Sequence, residues 1–324
     1  MTTKQLTIKL PYPVTEDSFF LCIDTTGLHA EVSAITTIGI AYPKGQQLFY
    51  NQWFLEAGET QNALLASFFQ AVADKKRVIT YYGNRFALPF LAQKADEYAL
   101  TNPLAAMISD DYYTIVHPLK KMLPLSSLKQ TAIEKACQIQ RTLSLSGKKL
   151  IKCYQTYHRT QDPAMKDMLL LHNKESLETL CHFASLFAYR DLIHGNFSSC
   201  TMEKNTPDEE EIHFHLVLPF AVPMPIHHSL SDLRLDVSER TGTLSMKPDA
   251  QGMLKHYYQN PKDYYYLPYE DRAIHKSLAS FVPKEFRTKA TKTTCYEKIA
   301  CDHPALASKS SLNAFLCDTI AFLC

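Results

Sequence analysis

The stretch "FFLCIDTTGLHAEVSAITTIGIAY", residues Phe19 to Tyr42, decides the fold. Its first apolar run predicts a buried strand, Gly27 predicts a tight turn, and the second apolar run predicts a strand that hairpins back beside the first. Cys22 and Asp24 stand two residues apart near the end of the first strand, so they share one face of it. These two side chains are therefore the first candidates for a functional site.

The following segments extend the hairpin into an α/β fold. "QQLFYNQWFLE" predicts a third antiparallel strand, and "RVITYYG" predicts a buried strand that ends in a turn. Between them an apolar stripe predicts an amphipathic helix, formed by Leu64, Leu65, Phe68, Phe69 and Val72. With a helix over "RFALPFLAQKADEYAL" the order is β-β-β-α-β-α, which is three hairpinned strands and a crossover to a parallel one. Helical patterns continue from Tyr112 to about Ile193.

The C-terminal part has a different composition. "HGNFSSCTMEKNTPDEEE" combines turn residues with an acidic run and predicts a linker over 194–210. Beyond it the patterns predict strands, a hairpin turn at Thr241–Gly242, and helices over "AIHKSLASFV" and "SLNAFLCDTIAFL". We therefore expect a first domain over 15–193, a linker over 194–210 and a smaller β-rich C-terminal region over 211–324.

Composition and charge limit the classes of function. The chain has 324 residues, of which 46% are hydrophobic and 21% charged, which is ordinary for a globular protein. Its net charge of +1 means that affinity for nucleic acid must come from local clusters. No secretory signal or membrane-spanning run is evident. Nine cysteines without C-x-x-C spacing favour reduced thiols in a cytoplasm and no zinc module.

One C-terminal segment is dense in aromatic and charged residues. "KDYYYLPYEDRAIHKSL" fits a recognition surface and fits an interdomain contact equally well. The sequence leaves both interpretations open.

Four segments in order carry a resemblance to a known family. "FFLCIDTTGL", "VITYYGNRFALPFL" and "LLLHNKESLETL" resemble the three active-site motifs of the YprB-like branch of ribonuclease H-like 3'–5' exonucleases, and "HPLKKMLPLSSLKQTAIEKA" resembles the segment between the last two. The resemblance covers about residues 15 to 190. It implies a ribonuclease H-like mixed sheet flanked by helices. It also implies phosphodiester hydrolysis by two Mg²⁺ or Mn²⁺ ions that carboxylates hold about 3.5–4 Å apart.

The ligand positions of that family are largely lost here. The four carboxylate positions fall on Cys22, Asp24, Ala87 and Ser176, so that one acid remains. Two dications at about 4 Å repel by roughly 17 kcal/mol at an effective dielectric near 20, and several carboxylates are needed to offset that repulsion. We therefore expect no resident cofactor, with Mg²⁺ or Mn²⁺ relevant only if the family's activity is retained.

Residues around those positions keep the family's pattern. His172 and Asn173 remain in the third motif, and Asp111 fits a structural or capping role. Glu175 precedes the lost acid by one residue, but a helix turns it by about 100° away from the facing position. Cys22 and Asp24 with His172 form an alternative donor set for a softer ion such as Zn²⁺.

The resemblance also marks candidates for contacts with nucleic acid. These are Thr25, Lys120, Lys121 and Lys129, to which Lys148 and Lys149 add basic charge. The function we expect is a catalytically inactive member of the exonuclease family, which binds single-stranded or duplex nucleic acid, or a protein partner, through the remnant cleft. The alternatives are an active metal-dependent 3'–5' exonuclease on DNA or RNA, and a structural scaffold without a nucleic-acid role.

Overall fold

The protein folds as two compact units in a computed structural model that describes residues 3–143, 145–203 and 211–324. The first unit comprises Met1–His117 and Ser126–Phe187, and the second comprises Pro118–Leu125 and Ala188–Cys324. The predicted domain boundaries, with 15–193 as the first domain, stay predictions. None of the helices in the described ranges combines the length and apolar character that a bilayer-spanning segment needs.

The first unit is built on a six-stranded mixed sheet with the strand order β1-β4-β3-β2-β5-β6. The pairs β1-β4, β4-β3 and β3-β2 are antiparallel, whereas the pairs β2-β5 and β5-β6 are parallel. The predicted order and the predicted ribonuclease H-like fold class are both confirmed. The strands are β1 (Lys4–Leu6), β2 (Ser18–Thr25), β3 (Ile35–Lys44), β4 (Gln47–Phe54), β5 (Arg77–Thr80) and β6 (Ile108–Asp111).

Helices supply the rest of the core of this unit. The predicted stripe on the first helix is confirmed, because all five of its apolar residues are buried. Burying a Leu, Val or Phe side chain stabilises the fold by about 1.5–3 kcal/mol each, so this stripe fixes the helix on the sheet. The helices are α1 (Gln61–Val72), α2 (Ala87–Glu97), α3 (Tyr112–Val116), α4 (Gln130–Ala136), α5 (Gly147–Thr160) and α6 (Pro163–His182); α7 (Phe187–Ile193) follows.

The contact between α6 and β3 depends on a glycine. A Cβ on Gly39 would lie 2.1 Å from Oδ1 of Asn173 and 3.0 Å from Leu177. Because Gly39 has no side chain, the helix approaches the sheet closely enough to bury Asn173 completely. Gly39 is also the register partner of Cys22 on β2, so this contact places α6 over the end of the strand that opened the sequence.

The second unit is rich in strands, as predicted. A five-stranded antiparallel sheet has the order β7-β8-β11-β10-β9, and separate sheets pair β12 with β16 and β13 with β14 and β15. Helix α8 (Lys309–Leu323) is the predicted C-terminal helix. The strands are β7 (Ser199–Glu203), β8 (Ile212–Val217), β9 (Ile226–Leu230), β10 (Leu233–Ser238), β11 (Thr241–Met246), β12 (Met253–Tyr257), β13 (Tyr264–Leu267), β14 (Arg272–His275), β15 (Thr288–Lys289) and β16 (Tyr296–Ala300).

One C-terminal prediction is wrong in its local structure, and the predicted linker, whose bounds stay a prediction, includes a strand. The predicted linker 194–210 contains β7, which pairs with β8 and buries Cys200, while its last residues 204–210 lie outside the described range. "AIHKSLASFV" forms the end of β14 and a 3₁₀-helix at Lys276–Phe281, not an α-helix. In both segments pairing with a neighbouring strand outweighs the local sequence pattern.

The hairpin turn predicted at Thr241–Gly242 lies two residues earlier in the chain. Ser238 pairs with Thr241, so Glu239 and Arg240 form the turn, and Glu239 adopts a φ of 51°. Gly242 is instead a strand residue, at which a Cβ would come within 2.6 Å of the Leu216 side chain. This glycine meets a packing requirement of the sheet, not a turn.

Asp111 fastens the end of β6 to the turn after β5. Its carboxylate accepts hydrogen bonds from the backbone N–H groups of Tyr82 (2.7 Å), Asn84 (3.0 Å) and Tyr113 (3.0 Å), the last as the N-cap of α3. The side chain is 2% exposed. The capping role predicted for Asp111 is therefore confirmed.

Replacing Asp111 should destabilise the first unit. In Asp111→Ala three buried N–H groups lose their acceptor, and we expect the free energy of unfolding to fall by about 2–4 kcal/mol in urea denaturation. The matched control is Asp74→Ala, at an exposed position after α1, where we expect a change below about 0.5 kcal/mol. Equal losses in the two variants would contradict the role of Asp111.

Candidate functional site

A cavity of about 300 Å³ opens at the end of β2 in the first unit. It lies between the ends of β2 and β5, the start of α2, the start of α4 and the middle of α6. The structure brings five of the predicted site residues to its wall: Cys22, Asp24, Ala87, His172 and Ser176. Other lining residues are Thr80, Tyr81, Gln130, Glu134 and Arg141.

Asn173 connects the two residues on β2. Its amide nitrogen donates to Oδ2 of Asp24 at 3.0 Å and lies 3.3 Å from the Cys22 sulfur. Its Oδ1 accepts from the Gln52 side chain at 2.9 Å, which fixes the orientation of the amide. The predicted neighbour Asn173 is thus a positioning residue that holds Asp24 from behind the cavity wall.

A guanidinium group lies in the cavity close to one of the lost acid positions. Nη1 of Arg141 donates to Oγ of Ser176 at 3.0 Å, and Nη2 forms an ion pair with Glu134. Gln130 donates to the same Glu134 oxygen at 3.0 Å. Glu134 is 7% exposed, so Arg141 provides the counter-charge that its burial requires.

The loop that carries Arg141 is held by Glu175. Its two carboxylate oxygens accept from the backbone N–H groups of Thr142 (2.9 Å) and Leu143 (3.0 Å). Burial raises the pKa of Glu175, but these two hydrogen bonds outweigh it and keep the pKa below the ordinary value. As predicted, Glu175 turns away from the cavity and does not replace the missing ligand at Ser176.

Burial dominates the protonation of the remaining groups. It raises the pKa of Asp24 to about 6, although the hydrogen bond from Asn173 and the charge of Arg141 act in the opposite direction. Burial also lowers the pKa of His172 to about 4, and Arg141 adds to that effect. His172 is therefore neutral at pH 7, and its 3.9 Å separation from Asp24 is not an ion pair. Burial and the nearby Asp24 raise the pKa of Cys22, which is a thiol at pH 7.

These donors do not fit two magnesium or manganese ions. Hard cations need several oxygen ligands, whereas the four family positions supply a thiol, a carboxylate, a methyl group and a hydroxyl. The hydroxyl of Ser176 is engaged by Arg141, whose charge opposes entry of a dication. Among the described residues no group of three or more His, Cys, Asp and Glu side chains is arranged to hold a metal ion, so the zinc alternative at Cys22, Asp24 and His172 also finds no support.

The predicted nucleic-acid contacts are dispersed. Oγ1 of Thr25 donates to the Gly27 carbonyl at 2.6 Å and closes the turn after β2. Lys129 is exposed at the start of α4 in the first unit, while Lys120 and Lys121 are exposed in the segment Pro118–Leu125 of the second unit. The structure therefore places only Lys129 of these lysines on the unit that carries the cavity.

Sequence reasoning missed the ion pair in the cavity. Glu134 stands in "LKQTAIEKA", inside a segment that carried the resemblance, so its position was a usable signal. Arg141 had no comparable signal, because it lies in a loop whose course is set by Glu175 more than thirty residues later in the chain.

The sequence matches the family model of the RNase H superfamily over residues 19–187, a little over half of the chain. The protein therefore belongs to the RNase H superfamily. No curated protein matches the chain by sequence.

Solved structures similar to this chain include a DNA polymerase and an exonuclease. The family B DNA polymerase from Pyrobaculum calidifontis is 12% identical with a TM-score of 0.41, over 55% of this chain and 25% of that one. E. coli exonuclease I in complex with a dT13 oligonucleotide is 13% identical with a TM-score of 0.33, over 68% of this chain and 55% of that one. This chain thus spans a quarter and about half of the lengths of these two proteins.

Removing the charge of Asp24 should stabilise the protein at neutral pH. A carboxyl whose pKa rises from about 3.9 unfolded to about 6 folded costs up to about 3 kcal/mol when ionised, and that cost appears as the pH rises through this window. Asp24→Asn keeps an oxygen for Asn173 and should therefore unfold with a free energy up to about 3 kcal/mol larger at pH 7.

The pH dependence distinguishes this explanation from improved packing. The advantage of Asp24→Asn should shrink to about 0.5 kcal/mol at pH 4, where Asp24 is protonated in the folded protein and about half protonated in the unfolded chain. Urea denaturation between pH 4 and pH 8 measures the difference in the free energy of unfolding between Asp24→Asn and the unaltered protein. Asp96→Asn, at an exposed position, is the control. An advantage of the same size at pH 4 and pH 7 would contradict the pKa argument.

Restoring the lost ligands should create metal affinity only when the guanidinium is removed as well. In Cys22→Asp/Asp24→Glu/Ala87→Asp/Ser176→Asp, the new acid at position 176 lies next to Arg141, which would pair with it. Adding Arg141→Gln should give Mn²⁺ binding by calorimetry, whereas adding Arg159→Gln, an exposed site on α5, should not. Tight Mn²⁺ binding by the unaltered protein would contradict the conclusion that the donors in this cavity do not fit these metal ions.

Proposed function

We propose that the RNase H-like unit binds nucleic acid in its cleft without hydrolysing it, and that this binding requires no divalent metal ion. One observation carries the proposal: Arg141 lies in the cavity beside Ser176 and forms an ion pair with Glu134. The protein thus supplies its own cation at a place where the family it resembles depends on bound ions.

The charge balance of the cleft supports metal-free binding. Four carboxylates without metals would repel a phosphodiester strand, whereas this cavity has Asp24 and Glu134 facing one guanidinium. The raised pKa of Asp24 reduces its negative charge further as the pH falls toward 6. A strand can therefore approach this cleft with far less repulsion than it would meet at the metal-free site of a complete family member.

Affinity would come from exposed cations of the same unit. Lys129 begins α4, whose first turn lines the cavity, and Lys148 and Lys149 are exposed in the first turn of α5. Lysines that contact phosphates release counter-ions, so the binding should weaken as salt increases. The ligand class is single-stranded or duplex nucleic acid, and a protein partner in the cleft is the alternative occupant.

Hydrolysis is not expected, because none of the described side chains that line the cleft is arranged to activate water strongly. His172 is neutral, Cys22 is a buried thiol, and Asp24 is the single acid at the family's ligand positions. An active 3'–5' exonuclease would need ligands for Mg²⁺ or Mn²⁺ from elsewhere. The free state of all nine cysteines supports a reducing, cytoplasmic setting.

The test combines a nuclease assay with a binding assay on the full chain. Fluorescein-labelled 15-nucleotide strands should remain intact with Mn²⁺, and their fluorescence anisotropy should show the same salt-dependent binding in EDTA and in Mn²⁺. Asp24→Asn should bind more tightly, because it removes a negative charge from the cleft, and Arg141→Gln should bind more weakly than Arg159→Gln.

Three outcomes would overturn the proposal. Degradation that EDTA abolishes would show an active exonuclease. Binding that appears only with Mn²⁺ would show that a metal is required. Absence of binding at low salt would leave the scaffold interpretation. Because Arg141→Gln leaves Glu134 buried without a counter-charge, Arg141→Gln/Glu134→Gln serves as a second variant if the single one unfolds.

A further inference from the structure

Three aromatic rings of the second unit are unusually exposed. Tyr269 is 85% exposed, Phe281 81% and Phe286 46%. With Leu267, Glu270, Val282 and Pro283 they line an open groove of about 410 Å³, which we call the aromatic groove. Large apolar side chains that cluster at the surface mark an interaction site more often than chance exposure.

The turn that carries Tyr269 is rigidly anchored. It joins β13 to β14, and its Asp271 accepts hydrogen bonds from the hydroxyls of Tyr266 and Tyr296, both at 2.5 Å. Nζ of Lys298 lies 2.7 Å from the other carboxylate oxygen of Asp271. Tyr269 is therefore presented on a fixed loop, which lowers the entropy cost of binding a ligand there.

The other two rings lie on neighbouring 3₁₀-helices that are tied together. Phe281 ends the helix Lys276–Phe281, and Phe286 ends the helix Lys284–Phe286. Arg287 donates from Nη1 to the Ala279 carbonyl and so links the two helices. The Phe286 ring packs edge-on against Tyr269 with centroids 5.9 Å apart, which completes the wall of the groove.

Positive charge is concentrated around the aromatic groove. Residues 269–292 contain six Lys and Arg and three acids, a net charge of +3 in a chain whose total is +1; one of the acids, Glu270, lines the groove and pairs with Arg272. Lys276, Lys284 and Lys289 are exposed on the elements that form or adjoin the groove, and Lys289 pairs with Tyr265 on β13. The rings are thus accompanied by cations spaced along the same surface.

We propose that the aromatic groove binds single-stranded nucleic acid, with bases stacked on Tyr269, Phe281 and Phe286 and phosphates near Lys276, Lys284 and Lys289. Exposed rings beside lysines match the two parts of an unpaired strand, its base faces and its phosphates. A duplex hides its base faces and would offer the groove only its phosphates. The inference concerns a surface outside the cleft and does not depend on binding there.

The segment "KDYYYLPYEDRAIHKSL", residues 262–278, contributes to this groove. The segment supplies Tyr269, Lys276 and the anchor Asp271, which is the composition of a recognition surface. Tyr264 to Tyr266 do not form part of the groove's wall; they build β13 and support the turn.

The test uses the full chain and fluorescence anisotropy with labelled dT15 and a labelled 15-base-pair duplex in EDTA. The unaltered protein should bind dT15 more tightly than the duplex. Tyr269→Ala/Phe281→Ala should weaken dT15 binding by about tenfold or more, because stacking on each base is lost. Tyr269→Phe/Phe281→Tyr should bind like the unaltered protein, and Leu230→Ala, a partly exposed apolar residue on β9, is the truncation control.

A second variant tests the electrostatic part. Lys276→Gln/Lys284→Gln/Lys289→Gln should lower the slope of log affinity against log salt for dT15 by up to about 2, at roughly 0.7 for each phosphate contact. Both ring substitutions are at exposed positions, so circular dichroism and the thermal midpoint should match those of the unaltered protein.

The outcomes separate this surface from the cleft. Unchanged dT15 affinity in Tyr269→Ala/Phe281→Ala would overturn the proposal, even if Arg141→Gln/Glu134→Gln weakens binding. Loss of dT15 binding in the ring variant but not in the cleft variant would support binding in the aromatic groove and would contradict binding in the cleft. Ring-dependent binding to phosphatidylserine vesicles with no ring-dependent binding to dT15 would assign the surface to a membrane and overturn the proposal.

Discussion

A buried carboxylate needs an opposite charge close by, and in this cleft Arg141 supplies it. Its ion pair with Glu134 and its hydrogen bond to Ser176 neutralise one of the two acids on the cavity wall. The other acid, Asp24, accepts a hydrogen bond from the amide of Asn173 as its one direct donor among the described residues, and burial raises its pKa to about 6. The chemistry available in the cleft follows from this balance of charge.

The balance depends on parts of the fold that lie outside the cavity. Glu175 holds the loop of Arg141 through two backbone N–H groups, and Gly39 leaves the space in which Asn173 is buried. These contacts keep the cleft in shape without any bound ion. The cleft is thus defined by contacts among the chain's own side chains, and Arg141 provides positive charge within it.

Much of the fold could be predicted from the sequence because its signals are local. The apolar stripe on α1 has the helical period, and the strands β2 to β4 are long runs of β-branched and aromatic residues. The prediction of a turn at Thr241–Gly242 was wrong because glycine also occurs in strands where a neighbour such as Leu216 approaches too closely for a side chain. Similarly, β7 carried turn residues before it and became a strand only by pairing with β8.

The sequence by itself determined that this protein is an RNase H-like α/β chain, since order along the chain and residue identity suffice for that. The resemblance to the exonuclease family places that family's four acid positions on Cys22, Asp24, Ala87 and Ser176, of which Asp24 alone is acidic. Only the tertiary structure decided which side chains surround these four positions. Arg141 reaches Ser176 from a loop thirty-five residues earlier, and no local pattern encodes a contact over that separation. The same holds for the protonation of Asp24 and His172, because burial arises when distant elements pack and is not a property of neighbouring residues.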